Sequence, residues 1–421
     1  MYPNLSNTRL GERISTEHGV TQGKESSANL YSFYVSDMSS CLDQFTSDFM
    51  DPLNLVQLAD DTATLASFID TLIQKIKALF RYSDDNDQVA NIGKTKYLHL
   101  SKTPYTEPLQ IAEDQFVESA HEKGYVYLGS LFIMSNILTE HILANIKNRM
   151  GNIHKFYAWL QYNIDTPIKV KLVVLYNCVF SAITYAAETW GDISTIKEKI
   201  LQVERKALKR CLGVKSSTPT NLLYIELDLA DIVASIRDRQ HKFYQKLQSL
   251  EEGTAIVLDV LEMCKELAIV KYYEELSGNH RLQNLAEKKQ CCSTATGTYS
   301  VRYTELTDLN YCPAIYESYM REDLRIVLTR WRLSCFDLAV ETGRYEGTEH
   351  EERVCAFCDV LEDEQHAIYV CRAYNNIRND YRDMLELYPS VKQILNPQSK
   401  EMAEKVGKML KLIEDERKSL L

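Results

Sequence analysis

Apolar positions change their period along this chain, and the change divides it. Leu65, Phe68, Ile69, Leu72, Ile73, Ile76, Leu79 and Phe80 recur at intervals of three and four, which predicts an amphipathic helix with one stripe against a sheet. Around that helix the apolar runs are short. Residues 53–58 and 62–65 predict two strands joined by a tight bend, and the runs around Leu98, Phe116 and Tyr127 predict further short strands that complete a small antiparallel α+β unit. From Leu138 the helical spacing returns and persists. Helices are expected over about 139–162 and 167–190, an antiparallel pair with Pro167 in a first turn, and again over about 221–290. Small polar residues at 289–297 read as a linker. The expected organisation is therefore α+β, with units at 1–134, 135–290 and 291–421.

The bend between the first two strands carries Asp60 and Asp61. Asp is poor inside a strand but well suited to a turn, where its carboxylate can reach an ion. A solvated turn explains the pair equally well by itself. Gly23 lets backbone approach a ligand closely, or makes a plain turn before a helix starting near Ser26. Lys94 and Lys96 can put positive charge near a polyphosphate, or merely flank a solvated strand over 97–100. Tyr127-Leu128-Gly129 reads as a hairpin turn.

What changes the weight of each is their order. Gly19-Val20-Thr21-Gln22-Gly23, continuing to Ser27, Leu30 and Tyr31, precedes Ala59-Asp60-Asp61; then come Asn91-Ile92-Gly93-Lys94-Thr95 and Tyr127-Leu128-Gly129. Together these blocks resemble the reverse transcriptases of non-LTR (LINE-type) retrotransposons, from the middle of the palm to its end. The resemblance implies a partial right-hand polymerase palm followed by a helical thumb. It implies that Gln22, Gly23, Ser27 and Lys94 bind template or incoming nucleotide. Asp60 and Asp61 would be catalytic acids holding Mg²⁺, and Tyr127, Leu128 and Gly129 a primer grip. RNA-directed DNA polymerisation on an RNA template and a DNA primer is the implied activity. Leu58, Ala28 and Tyr31 depart from the family's aromatic, Pro and Phe.

Two-metal phosphoryl transfer places its ions about 3.5–4 Å apart, which two adjacent acids rarely achieve. The family supplies a further Asp from an earlier palm strand. Upstream of Gly19 the acids are Glu12 and Glu17, with no strand pattern before them, so the chain reads as the C-terminal portion of a retrotransposon protein, truncated before the first catalytic Asp and lacking fingers. Polymerase activity of this chain alone is not expected. A non-catalytic nucleic-acid or protein interaction module is the alternative. A palm without its covering elements should also expose an apolar edge near Val56 and Leu58.

Near the end of the chain stands Cys355-x2-Cys358-x7-His366-x4-Cys371. Three thiols and an imidazole are the inventory of a tetrahedral zinc site, and the close Cys pair favours Zn²⁺ over four buried residues that happen to be neighbours. His366 and Cys371 are five apart, so a helix there must start or bend between them. The surrounding sequence again resembles LINE-type C-termini, as a knuckle-like unit. It reads either as an RNA-holding unit with Arg372, Tyr374 and Arg378, or as a purely structural clip.

Composition adds bounds. At 421 residues, 45% hydrophobic and 25% charged, the chain is ordinary for a globular protein, with no run approaching the roughly 20 apolar residues that span a bilayer. No secretory signal is apparent, so an intracellular protein, nuclear or cytoplasmic, with no membrane partner is expected, its 11 cysteines reduced. The net charge of −11 argues against a generally basic surface. Basic residues nevertheless outnumber acids between His141 and Lys215, where a cationic helical face can follow duplex phosphates. Residues 341–364 are markedly acidic.

Overall fold

The computed structural model describes residues 25–45, 55–190, 192–250, 268–276, 278–295, 298–309 and 314–420. The protein is mixed α+β, with helices predominating over small sheets. It falls into two compact units, one up to Asn136 and one from Ile137 onward.

In the first unit, helix α1 (Glu25–Tyr34) and a 3-10 turn (Met38–Phe45) precede strands β1 (Val56–Leu58) and β2 (Asp61–Ala63). Helix α2 (Ile69–Asp85) then leads to β3 (Lys96–Tyr97), β4 (Leu109–Ala112), β5 (Gln115–Ser119), β6 (Tyr125–Tyr127) and β7 (Ser130–Phe132). The expected apolar stripe does face a sheet. Ile69, Leu72, Ile73, Ile76 and Phe80 pack on Tyr97, Leu109, Ile111 and Val117 of the sheet ordered β3-β5-β4. The helix begins four residues later than the periodicity suggests, because Leu65 and Phe68 belong to the connection. Lys75 on α2 is fully buried and donates to the Leu65 carbonyl at 2.7 Å, tying that connection down.

The sheets differ from the expected antiparallel unit. Strands form three separate small sheets, β1-β2, β3-β5-β4 and β6-β7, and β3 pairs with β5 in parallel. The strand expected over 97–100 is only Lys96–Tyr97: the Tyr105 backbone N–H donates to His99 Nδ1 at 2.7 Å, taking the chain out of the ladder.

The second unit is helical around one continuous core running from Ile142 to Ile413. It contains α3 (Leu138–Arg149), α4 (Gly151–Tyr162), α5 (Ile168–Val174), α6 (Ser181–Ile183), α7 (Ser194–Leu212), α8 (Thr220–Glu226), α9 (Ile232–Gln248), α10 (Ala268–Glu275), α11 (His280–Thr294) and α12 (Thr298–Leu306). After these come α13 (Glu322–Arg332), α14 (Ala339–Glu346), α15 (Asn375–Asp380), α16 (Arg382–Leu387), α17 (Val391–Ile394) and α18 (Lys400–Leu420). The two long helices expected over 139–190 are broken. One breaks at Met150; the other passes through a π segment, Leu175–Phe180, and ends at Ile183, with Ala186 left-handed just beyond it.

The boundary expected at 290/291 lies inside α11. The segment expected as a linker continues this helix to Thr294, and Cys292 is buried in the common core. Burial of Cys292 outweighs the loop-like composition. Gly213 ends α7 with φ 70°, and a Cβ there would lie 2.5 Å from Ile326, so a glycine is needed both for the turn and for the close helix approach.

Two buried carboxylates organise this core. Glu226 on α8 makes a bidentate pair with Arg332 on α13, Oε1 to Nε at 2.6 Å and Oε2 to Nη2 at 3.0 Å. Tyr303 and Tyr316 donate to the same carboxylate at 2.7 Å each, while Arg332 Nη1 reaches the Leu395 carbonyl and Asn396. Five stretches of chain thus meet at one pair. Glu204 on α7 has no such cation; it accepts from Tyr176 at 2.5 Å, Tyr224 at 2.7 Å and the Ile232 backbone N–H at 3.2 Å. Burial pushes Glu204 up to about 7, against the lowering effect of those donors.

A stability change with pH follows. Because the folded protein holds this proton more tightly than the unfolded chain, Glu204's contribution is full below the unfolded carboxyl range near 4.5 and is lost as pH rises through about 7. Glu204→Gln is expected to flatten the urea-unfolding midpoint between those pH values. An unchanged pH dependence in the variant would remove Glu204 from the explanation.

Candidate metal centre and acidic hairpin

The Cys355–Cys371 segment is built so that its ligands converge. Val354 bridges Leu361, and Cys355 N–H donates to the Val360 carbonyl at 2.7 Å, closing a small loop whose turn returns Cys358 and Asp359 N–H groups to the Cys355 carbonyl. The five-residue interval is resolved by a π segment, His366–Val370, in which Cys371 N–H donates to the His366 carbonyl at 2.7 Å. An α-helix would carry position 371 well off the His366 face, whereas the wider turn brings the two back together.

Cys355, Cys358, His366 and Cys371 offer ligand atoms all within 4.8 Å of one another, and among the described residues this is the one such Cys/His/carboxylate cluster able to hold a metal ion. Cys371 Sγ lies 3.7 Å from Cys355 Sγ and 3.8 Å from Cys358 Sγ. Sulfurs bound at about 2.3 Å in tetrahedral geometry stand about 3.8 Å apart, so the cage already has the size a metal of that kind requires. His366 Nε2 is buried with no hydrogen-bond partner among the described residues, which suits it to a metal.

Electrostatics complete the picture. Burial pushes the Cys355 thiol up and Cys371 up to about 12, and it keeps His366 below its ordinary value and so neutral. At Cys358 burial is outweighed by the Arg372 backbone N–H and the neighbouring thiols, and its pKa falls. Metal capture must displace the remaining thiol protons.

The acidic stretch around this cluster is divided: Glu346, Glu349, Glu351, Glu352 and Asp359 are exposed, and the rest turn inward. Glu341, Glu362 and Glu364 are buried, each facing an arginine. Glu362 receives Arg417 Nη2 at 2.8 Å and the Ala339 N–H at 2.7 Å; Glu364 pairs with Arg302 and accepts from Ser334 at 2.8 Å; Glu341 pairs with Arg344. The ligand-bearing loop is therefore pinned to α12, α14 and α18. Of the residues expected to touch RNA, Tyr374 is fully buried and has no face to stack a base, whereas Arg372 is exposed.

In the first unit, the two-residue turn Ala59-Asp60 joins β1 to β2, with Leu58 opposite Asp61. Asp60 is in the turn and Asp61 begins the return strand; both are exposed. Ala59 has φ 53°, a left-handed value that costs a non-glycine residue roughly 1–2 kcal/mol, and such strain clusters at functional sites. The expected apolar edge is there, with Val56 and Leu58 37% and 60% exposed.

Two other blocks reach this hairpin, and a third reaches the strand that carries Tyr127. The Tyr127 hydroxyl donates to the Val56 carbonyl at 3.1 Å, and burial together with Asp61 holds it above its ordinary pKa. Tyr31 on α1 is raised by burial and then by Asp60. Tyr125 hydroxyl donates to the Lys94 carbonyl at 3.3 Å, and the turn holding Lys94 is built by Asn91, whose side chain accepts from Lys94 N–H at 3.1 Å. Leu128 and Gly129, both left-handed at 47° and 76°, form the primed turn between β6 and β7 that twisted strands prefer. A cleft of about 240 Å³ beside the hairpin is lined by Ser32, Ser36, Ser39 and Gln57 among others. Ser27 lies half-buried on α1, while Gln22 and Gly23 fall outside the described residues. No third carboxylate joins Asp60 and Asp61 in a metal-holding group among the described residues.

The cationic stretch is partly spent internally. Lys171 is buried, donating to the Ile164 carbonyl at 2.6 Å; Lys169, Lys197, Arg205 and Lys215 pair with Glu317, Asp192, Glu198 and Asp337; Arg210 lies over the Tyr157 ring. Lys199 and Lys206, one face of α7, remain exposed. No helix among the described residues is long and apolar enough to cross a membrane. No protein-family model matches the chain, and no curated protein matches it either.

Proposed function

We propose that the chain is a reverse transcriptase of the LINE type, acting on an RNA template and a DNA primer, that does not polymerise unaided and whose helical unit is ordered by zinc. One contact carries the reading: the Tyr127 hydroxyl on the Val56 carbonyl, which joins the Tyr-Leu-Gly hairpin to the Ala-Asp-Asp hairpin across 71 residues. Motifs matched separately along a sequence have no reason to touch unless they serve one place. Tyr31 beside Asp60 and Tyr125 on the Lys94 carbonyl bring in the other two blocks.

Divalent ions held there would activate an attacking hydroxyl and stabilise leaving pyrophosphate. Asp60 and Asp61 each offer exposed oxygens to Mg²⁺, Lys94 is exposed to meet phosphate charge, and Tyr127 braces β1. A bridging carboxylate is what the pair lacks among the described residues. A second reading, a non-catalytic interaction module, draws on the buried Cys/His cluster and on the exposed Lys199 and Lys206. For the other cluster, three soft thiolates and an imidazole in a closed, buried cage favour Zn²⁺ in a structural role.

The test is a purified chain with an RNA–DNA hybrid and Mg²⁺. Binding should weaken steeply between about 50 and 200 mM salt and should weaken further in the Lys199→Glu, Lys206→Glu double variant. No nucleotide should be incorporated. Salt-indifferent or absent binding overturns the nucleic-acid reading, and incorporation that depends on Asp60 overturns the claim of incompetence.

A further inference from the structure

Beside the metal cluster lies an open cleft of about 250 Å³ lined by Tyr369, Arg378, Asn379, Arg382, Leu385 and Glu386. We propose that it receives a single unpaired guanine of a single-stranded nucleic acid, a site distinct from the acidic hairpin and from the four metal ligands.

These side chains keep polar groups unspent. Several arginines in the second unit end on carboxylates, as Arg302, Arg325, Arg332 and Arg417 do. Arg378 and Arg382 have no carboxylate partner among the described residues. Arg378 is held in place by the Cys371 carbonyl and by Asn375, so its plane is fixed by the loop that carries a metal ligand. Arg382 donates to Asn379 at 3.1 Å. Arg382 and Glu386 sit one turn apart on α16, where opposite charges ordinarily meet, yet they form no ion pair. Both heads are left at the cleft.

Donor and acceptor types then choose the ligand. A simple oxyanion is poorly served by a cleft that includes Glu386, and Asp380 and Asp383 on the same two helices add further negative charge nearby. Guanidinium groups donate only, a carboxylate accepts only, and the Asn379 amide does both. This mixed set, against the apolar surface of Leu385 and a Tyr369 ring whose hydroxyl is already spent on the Tyr388 carbonyl, fits a flat group with acceptors on one edge and donors on the next. Guanine is the base that does so, O6 and N7 accepting while N1 and N2 donate, and an arginine to O6/N7 with a carboxylate to N1/N2 is the complementary arrangement. Bases are free to present those edges only when unpaired.

The inference rests on the nucleic-acid reading for the source of the ligand, not for the cleft. Titration calorimetry of the full chain, loaded with zinc, against guanosine 5′-monophosphate, adenosine 5′-monophosphate and inorganic phosphate tests it, followed by a guanine-containing ribo-oligonucleotide. Guanosine monophosphate should bind at least about tenfold tighter than adenosine monophosphate, Glu386→Gln should erase that preference, and Arg382→Ala should weaken binding by about tenfold. Because both side chains are exposed, the variants should unfold at the wild-type denaturant concentration. Equal binding of the two nucleotides, inorganic phosphate binding as tightly as either, no nucleotide bound at millimolar concentration, or a preference that survives Glu386→Gln would each overturn the assignment. Guanosine selectivity without any hybrid binding would leave this site standing and sink the polymerase-type reading; hybrid binding without guanosine selectivity would do the reverse.

Discussion

Removing zinc with a chelator, or replacing Cys371 with Ser, is expected to abolish cooperative unfolding of the helical unit from Ile137 onward. Cys355 and Cys371 are fully buried within the main core, not at its margin, and the loop between the ligands sends Glu362 and Glu364 to Arg417, Arg302 and Ser334. Without metal, His366 Nε2 has no partner and three thiols crowd one another in a buried space. Structural zinc contributes on the order of 10 kcal/mol in small zinc-finger peptides, comparable to the roughly 5–15 kcal/mol that holds a whole domain folded. Elemental mass spectrometry should find one zinc per chain. Urea unfolding with and without chelator reads the effect, and an unchanged midpoint in metal-free protein would reduce the cluster to four neighbours in a core.

Glu226→Gln is expected to cost about 3–5 kcal/mol, because it leaves Arg332 charged and fully buried without its counter-ion. The loss should exceed that of an ordinary hydrogen bond, since Tyr303, Tyr316 and Asn396 are all oriented by the same pair. Replacing both members, Glu226→Gln with Arg332→Met, should recover part of the loss, as apolar substitutes for buried pairs often do. Denaturant unfolding of the four proteins closes the double-mutant cycle. A single-variant cost under about 1 kcal/mol, the range of exposed pairs, would mean that water reaches the site.

Much of this arrangement was legible in the sequence where the signal is local. The stripe from Ile69 to Phe80 announced a helix on a sheet because burial on one face imposes its own period, and the four metal ligands stood out because thiols and imidazole at those spacings have few other uses. Asp60 was readable as a turn residue, whereas Asp61, read into the same bend, begins β2 and pairs with Leu58. What escaped was set by distant partners. Nothing near Glu362 or Glu364 marks them as interior, since an acidic run reads as solvated until Arg417 and Arg302, 55 and 62 residues away, are brought to it. The misplaced linker at 289–294 has the same origin: helix α11 is kept by packing of Cys292 and its neighbours, not by propensity. Likewise the parallel pairing of β3 with β5 depends on a crossover that alternation alone does not encode. The Tyr127–Val56 contact carries no local signature at all.

The π turn between His366 and Cys371 makes this segment unusually sensitive to length. Adding one residue within positions 367–370 would put the two ligands six apart, which neither ordinary nor widened winding returns to one face, and would cost the cage a ligand while leaving every ligand residue in the sequence; removing one would leave the four-residue spacing that an ordinary α-helix already holds on one face. Substitutions at the exposed position Val370 should pass with little notice by comparison. Along this stretch, descent should therefore tolerate changes of letter far more readily than an added residue, so a ceiling on its spacing is a better mark of kinship than its residues.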